Sequence, residues 1–206
     1  MKKRKLKKKV LLIIIIILFA IICFFAGKRI YIKLNTFNVK VVDEIKGYSY
    51  SLDDRDTDLY KSYFNELKSV LSQDDIDYEK YALIISKMFI IDLYTLENKV
   101  NKYDIPSLEF VYPSARDNFK LKVQDTLYKY IEDNTNKKRS QTLPTVKSIE
   151  NKEIESGKFK IGDNSYDAYI VKLSWDYETD LGYDNNGTVT VVKDDKTLYV
   201  AEYANK

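Results

Sequence analysis

The spacing of apolar and polar positions changes twice along the chain, and each change marks a different kind of element. From Val10 to Gly27 every position is apolar or glycine, with no charge, amide or proline. From about Asp54 to Ile131, apolar residues recur every three or four positions, as in amphipathic helices. After Pro144, apolar and polar residues alternate, as in strands. The pattern predicts one apolar helix, then several amphipathic helices, then a sheet.

The apolar segment is predicted to be a membrane anchor. As a helix rising about 1.5 Å per residue, it approaches the bilayer's hydrocarbon thickness of about 30 Å. Met1 to Lys9 precedes it with seven positive charges and no negative one, and so dense a basic flank stays in the cytoplasm. We therefore predict a basic cytoplasmic tail at residues 1–9, a transmembrane anchor at 10–27, and a single-pass cell-membrane protein whose C-terminal domain lies outside.

Two other fates of this segment fit the residues less well. A cleaved signal peptide needs small residues one and three positions before the cut, but Phe24 or Phe25 would stand at the third position. A lipoprotein would be modified at Cys23, but bulky Ile22 precedes it and more apolar residues follow. We interpret the segment as a retained signal anchor, with Cys23 as an inert apolar side chain.

The middle of the chain predicts a stalk and three helices. Residues 28–53 fit both helical and extended spacing, so the form of this stalk stays open. A first helix should begin at Asp56 or Thr57, since either can cap it. A second, from Asp77 to about Leu96, is apolar on nearly every side and should be buried. The third should follow the capping residues 114–117, with this buried face: Phe119, Val123, Leu127, Tyr130 and Ile131.

The last third of the chain predicts an antiparallel meander of about four strands. The strongest strand runs from Tyr166 to Glu178, after a shorter alternating stretch at Lys158–Ile161. Thr188–Val192 and Leu198–Tyr203 continue the meander, and Val146–Ile154 adds a strand with a weaker pattern. The fold class is therefore α+β at residues 54–206, with a curved antiparallel sheet. One face of the strongest strand should pack on the helices: Tyr169, Val171, Leu173, Trp175 and Tyr177.

Composition narrows the possible chemistry. The net charge of +3 comes from the basic N-terminus, and the rest of the chain has an excess of acidic residues. We therefore predict no nucleic-acid partner. There is no histidine, which removes the commonest general base and metal ligand. No phosphate-binding glycine loop occurs among six glycines. We predict a protein that is not an enzyme, with no catalytic residue, cofactor or metal.

Three groups of residues have both a specific and an ordinary interpretation. The carboxylates of Asp53–Asp58 and those of Asp180–Gly187 could bind calcium. An EF-hand alignment of the second group puts Gly182 and Lys193 where carboxylates are needed, so helix capping and loop solvation are favoured. Lys137–Arg139 is interpreted as solvated loop charge. The aromatic residues Tyr169, Trp175 and Tyr177 are the candidate pocket or interface residues, although on a curved sheet such side chains often fill the core.

The order of a basic tail, one anchor, about three helices and a four-stranded meander resembles the nuclear transport factor 2-like fold. Within it, the chain resembles the single-pass scaffold components of type IV secretion and conjugation machines. The resemblance covers Asp54–Lys206 and the anchor, and it rests on element order. The Asn-Pro-x-Gly motif of the Gram-negative members is absent, and no functional residue is transferred.

The resemblance implies a bacterial, extracytoplasmic assembly subunit of a conjugation, secretion or other envelope complex. Its partners would be the lipid bilayer, other envelope proteins and further copies of itself. The alternative is an extracytoplasmic ligand-binding or sensor module that uses a pocket between sheet and helices. An exposed apolar patch would favour the first function, and a cavity closed by aromatic side chains the second.

Overall fold

The computed structural model describes residues 8–34 and 40–205. The chain divides into two compact units, Met1–Asn38 and Val39–Lys206, and each is described by itself. The first contains helix α1, Lys8–Leu34. Within α1, the side chains from Ile13 to Gly27 are described, and all of them are exposed.

The prediction of a transmembrane helix is wrong. Across residues 8–34 and 40–205, the structure contains no helix that is both long enough and apolar enough to cross a bilayer. This finding overturns the transmembrane part of the predicted fold class. It also overturns the membrane, single-pass and signal-anchor features and the cell-membrane location.

A short hairpin begins the second unit, inside the region predicted as a stalk. Strand β1 (Val41–Glu44) pairs antiparallel with β2 (Ser51–Asp53). Tyr50 lies between them and is buried. Its hydroxyl donates to the carbonyl of Leu198 at 2.9 Å and lies 2.7 Å from the hydroxyl of Tyr81. The hairpin is therefore anchored in the core of this unit.

Three helices follow. The first two begin at a side-chain cap, whereas the third begins without the capping hydrogen bond predicted at residues 114–117. Helix α2 is Asp58–Leu71, and the hydroxyl of Thr57 caps it by accepting the Tyr60 N–H at 3.2 Å. Helix α3 is Tyr78–Tyr94, capped by Asp77. It is buried on nearly every side, as its apolar pattern predicts. A 3-10 turn at Pro113–Ala115 leads into helix α4, Arg116–Asp125.

Helix α4 is shorter than its pattern predicts. It ends at Asp125, and the Thr126 hydroxyl folds back to donate to the carbonyl of Lys122 at 2.6 Å. Beyond it Tyr128 is fully buried, and its hydroxyl donates to the carbonyl of Leu93 at 2.9 Å. Tyr130, predicted on the buried face, is 76 % exposed. The chain therefore leaves the helix to bury Tyr128 with its hydroxyl hydrogen-bonded, and the predicted helical face does not continue to Tyr130.

The sheet is a four-stranded antiparallel meander in the order β3-β4-β5-β6. Its strands are β3 (Val146–Ile161), β4 (Asn164–Tyr177), β5 (Asn186–Asp194) and β6 (Thr197–Asn205). The two stretches predicted at 146–154 and 158–161 are one continuous strand, with a bulge between Asn151 and Glu153. Helix α3 contacts all four strands. The core lies between them and includes these sheet residues: Val171, Leu173, Trp175, Val189, Val191 and Leu198.

Candidate functional site

A cavity of about 300 Å³ lies beside the β1–β2 hairpin, at α2, the last turn of α3 and the loop that follows α3. Charged side chains supply half of its lining. Five of them are carboxylates and two are cations, and we call this site the acidic cavity. The carboxylates are Asp53, Asp56, Asp92, Asp104 and Glu109, and the cations are Arg55 and Lys99.

Local turns bring the first carboxylates to the cavity. Asp53 ends β2, and its side chain accepts the Arg55 N–H at 2.7 Å. Asp56 accepts the Asp53 N–H at 2.7 Å. Since Thr57 caps α2, neither carboxylate is needed at the helix N-terminus. The predicted capping role therefore belongs to Thr57, and Asp53 and Asp56 belong to the cavity.

Three of the carboxylates are held in ion pairs, and one of them is Asp53, whose carboxylate lies 3.7 Å from Nη2 of Arg55. Nη1 of Arg55 lies 2.5 Å from a carboxylate oxygen of Asp104. Nζ of Lys99 lies 2.5 Å from a carboxylate oxygen of Asp92, with side chains only 6 % and 11 % exposed. Asp104 also accepts the Val100 N–H at 2.8 Å. Both cations of the cavity are thus already engaged with a carboxylate.

Asp56 and Glu109 differ from the other three carboxylates of the cavity, each of which has a cation beside it. Within the described part of the chain, neither forms an ion pair. Burial raises the pKa of Asp56 to about 7. The negative charges of Asp53 and Asp92 also raise this pKa, whereas the hydrogen bond from the Asp53 N–H lowers it. Burial raises the pKa of Glu109 to about 8, and the nearby charge of Asp92 adds to it. Both carboxyl groups therefore exchange protons near neutral pH.

The backbone at the cavity wall is strained. Ser107 is buried and has φ of +63°, in the left-handed region that non-glycine residues rarely adopt. Its hydroxyl donates to the second carboxylate oxygen of Asp92 at 3.0 Å. Such strain is kept where the surrounding structure requires it, and it concentrates at ligand-binding and active sites.

The carboxylates of the cavity are not grouped as metal ligands. Across residues 8–34 and 40–205, no three acidic or sulfur ligands are grouped closely enough to hold a metal. A cation bound beside Asp56 and Glu109 would stabilise their ionised forms.

A larger cavity, of about 520 Å³, lies between α2, α3 and β3. Four of its five charged side chains have partners among the described residues. Lys80 lies 3.2 Å from Glu66, Asp77 caps α3, and Nζ of Lys87 lies 3.3 Å from the hydroxyl of Tyr63. Three carboxylates and two cations line it, so its excess of negative charge is smaller than that of the acidic cavity.

The predicted aromatic residues lie elsewhere, on the sheet. Trp175 is 2 % exposed and donates from its indole nitrogen to the Tyr177 hydroxyl at 2.8 Å. Tyr177 in turn donates to the carbonyl of Asp184 at 2.5 Å. Tyr169 lies farther along β4 and is half-buried against the core. These side chains belong to the packing of sheet on helices and do not line the acidic cavity.

Sequence reasoning missed five cavity residues and misinterpreted Arg139. The missed residues are Arg55, Asp92, Lys99, Asp104 and Glu109. Glu109 stands between Leu108 and Phe110, so a carboxylate within an apolar stretch was the available signal. Arg139 was interpreted as solvated, yet its side chain is 1 % exposed. Its neighbours in the sequence are polar, and only its tertiary contacts show that it is buried.

The acidic cavity joins residues from β1, the end of β2, α2, the end of α3 and the loop after α3. The predicted likeness to the nuclear transport factor 2-like fold stays a prediction. No family model, no curated protein and no solved structure matches this chain.

Proposed function

We propose that this protein is a binding module rather than an enzyme, and that the acidic cavity binds a small organic ammonium cation. One observation carries the proposal: five carboxylates and only two cations line the cavity, and both cations are already paired. A buried carboxylate without a partner destabilises the fold unless it is protonated or paired. An entering ammonium group supplies the missing pairing.

The volume limits the size of the ligand. A water molecule occupies about 30 Å³ in the liquid, so a cavity of about 300 Å³ corresponds to about ten waters. An aliphatic diamine or an amino alcohol of up to about ten non-hydrogen atoms fits this limit. An ammonium group also offers several N–H donors to carboxylates that lie on different sides of the cavity.

Binding should be linked to proton release. At pH 7 the Asp56 carboxyl group is about half protonated and that of Glu109 is mostly protonated, because their pKa values are about 7 and about 8. A bound cation favours their ionised forms, so protons leave as the ligand enters. An alkylammonium keeps its own charge until about pH 10. The affinity should therefore rise with pH and level off above about pH 8.

Calorimetry with 1,4-diaminobutane on the full-length chain tests the proposal. We expect binding at least about tenfold tighter at pH 8.5 than at pH 6.5. Comparison of buffers with different ionisation enthalpies should show release of about one proton at pH 7. The uncharged analogue 1,4-butanediol is the matched control. Absent binding, or equal binding of the diol, would contradict the proposal.

Two isosteric variants then locate the site. Asp56→Asn and Glu109→Gln should each weaken diamine binding about tenfold or more, because each removes a charged hydrogen-bond acceptor. Asp75→Asn is the control, since Asp75 is exposed and lies outside the cavity. A diamine affinity unchanged in both cavity variants would place the binding elsewhere.

A second candidate, an assembly subunit of a larger complex, is favoured by the edges of the sheet. The β6 edge is covered, since Val200 donates to the carbonyl of Phe110 at 2.7 Å and accepts the Tyr112 N–H at 2.9 Å. Strand β3 forms the other edge and is exposed through much of its outer half. An open edge can pair with a strand of another chain.

Crosslinking of the purified chain tests this second candidate, with a second copy as the partner. Ser156→Cys on β3, in a Cys23→Ser background, should give crosslinked dimers with a short bismaleimide. Gln73→Cys, in the exposed turn after α2, is the control. Equal crosslinking from both positions, or none from Ser156→Cys, would reject pairing through β3.

A further inference from the structure

Arg139 belongs to an exposed loop but is not itself exposed. Its neighbours Lys137 and Lys138 are exposed, whereas the Arg139 side chain is 1 % exposed. Burial of a guanidinium is costly unless its donors are satisfied. The contacts of this side chain therefore indicate what it does.

The guanidinium holds the turn that follows α3. Nη1 donates to the carbonyl of Lys99 at 2.7 Å, and Nη2 donates to the carbonyl of Glu97 at 2.6 Å. The loop adds a third contact to the same turn, because the Asn134 N–H donates to the carbonyl of Val100 at 2.8 Å. The planar fork of arginine is suited to reaching two carbonyls at once.

That turn contains Lys99, which lines the acidic cavity. Nζ of Lys99 pairs with Asp92, and its charge opposes the raised pKa values of both Asp56 and Glu109. The position of the turn therefore decides how close the Lys99 charge lies to the cavity carboxylates. The charged groups around Lys99 in the cavity come from the hairpin, α3 and the loop: Asp53, Arg55, Asp56, Asp92, Asp104 and Glu109.

We infer that Arg139 is a positioning residue for the acidic cavity and that it acts by fixing the backbone of Lys99. Arg139 itself does not line the cavity. Through its contact with the Lys99 backbone, the exposed loop at 132–138 is connected to the charge balance of the cavity. The inference deepens the proposed function and rests on it for its biological meaning. Its test uses the ligand-free protein, so that the two can fail separately.

The test is the titration of the Glu109 carboxyl group, followed by ¹³C NMR on the labelled full-length chain. Lys99→Met should raise the Glu109 pKa by at least about 0.5, since it removes a nearby cation. Arg139→Ala should raise the same pKa, because the released turn lets Lys99 move away. Lys138→Ala, which changes the adjacent exposed lysine, should leave it unchanged.

A double variant separates positioning from general support of the fold. In the Lys99→Met background, Arg139→Ala should no longer change the Glu109 pKa, since the residue through which it acts is gone. A lowered or unchanged pKa in folded Arg139→Ala, or an equal shift in both backgrounds, would overturn the inference. If Arg139→Ala fails to fold, Arg139→Lys decides: it keeps the charge but loses the fork, and should show part of the shift.

Failure of the proposed function would look different. If the wild-type chain binds no diamine but the Glu109 pKa responds as described, Arg139 still positions Lys99 and the cavity has another role. If the diamine binds but the pKa does not respond to Arg139→Ala, the binding proposal stands and the positioning role is rejected.

Discussion

The acidic cavity and the aromatic cluster on the sheet are both polar sites inside the second unit, and they differ in how their polar atoms are satisfied. We define the aromatic cluster as Tyr94, Trp175, Tyr177 and Tyr203. Each of its polar atoms has a partner: the Tyr94 and Tyr203 hydroxyls lie 2.8 Å apart, and Trp175 donates to Tyr177. In the cavity, the carboxylates outnumber the cations.

The two sites also differ in charge at physiological pH. Burial raises the pKa of Tyr94 to about 12 and that of Tyr203 further, so the aromatic cluster stays neutral. Burial raises the pKa of Asp56 to about 7, within the range where proteins work. The same physical cause, desolvation, therefore stabilises a neutral network at one site and leaves an adjustable charge at the other.

This difference separates a polar site that packs the core from one that is a candidate for binding. A satisfied, neutral polar cluster is part of the core, however rich in aromatic residues it is. A cavity with unbalanced, titrating carboxylates is a stronger binding candidate, because the surrounding fold does not complete it. Four variants test this contrast, in decreasing order of their expected effect.

Removing the central ring of the aromatic cluster should give the largest loss. Trp175→Ala should lower the free energy of unfolding by about 3–5 kcal/mol, since the ring is buried and packs 5.0 Å from that of Tyr94. Urea denaturation measures the loss. Tyr130→Ala is the control, because Tyr130 is exposed. A loss below about 1 kcal/mol would show that the cluster is not core.

Removing a paired cation from the cavity should cost somewhat less and should depend on pH. Lys99→Met should lower the free energy of unfolding by about 3 kcal/mol at pH 8, because it leaves Asp92 buried without its partner. The loss should be smaller at pH 5, because Asp56 and Glu109 are then neutral and the Lys99 charge no longer stabilises them. Lys158→Met breaks an exposed pair with Asp167 and should change stability by less than about 1 kcal/mol.

Neutralising an unpaired carboxylate should have the opposite sign at high pH. The pKa of Asp56 is raised to about 7 in the folded chain from 3.8, so the folded state binds more protons and stability falls as pH rises between these values. Asp56→Asn should remove this fall and raise the free energy of unfolding by about 1–3 kcal/mol at pH 9, with little change at pH 4.

Urea denaturation across this pH range measures the effect of Asp56→Asn. Asp75→Asn, an exposed carboxylate, should leave the pH profile unchanged. An Asp56→Asn variant that is equally destabilised at every pH would show that the carboxylate is structural, and the contrast between the two sites would be lost.

The smallest effect should come from one hydroxyl of the aromatic cluster. Tyr203→Phe should lower the free energy of unfolding by about 0.5–1.5 kcal/mol, since it removes one neutral hydrogen bond to Tyr94. Tyr103→Phe, at an exposed ring, is the control in the same denaturation experiment. A larger loss at pH 9 than at pH 7 would contradict the neutral state assigned to this cluster.

The sequence by itself determined the features that depend on local spacing. The all-round apolar pattern of residues 81–91 predicts the buried helix α3, and Asp77 marks its start. The sequence predicts the start of α2 at Asp56 or Thr57, and the structure has the cap at Thr57. Alternation along β4 predicts which face is buried, including Trp175. These predictions succeed because helix and strand periods decide which side chains share a face, whatever the rest of the chain does.

Tertiary structure alone decided the features that depend on distant partners. Helix α4 ends where Tyr128 reaches the carbonyl of Leu93, and Arg139 is buried because it reaches that of Lys99. Asp56 and Glu109 are ordinary acidic residues in the sequence and meet in one cavity only after folding. Their pKa values depend on the loss of water and on charges from other segments, which no local pattern encodes.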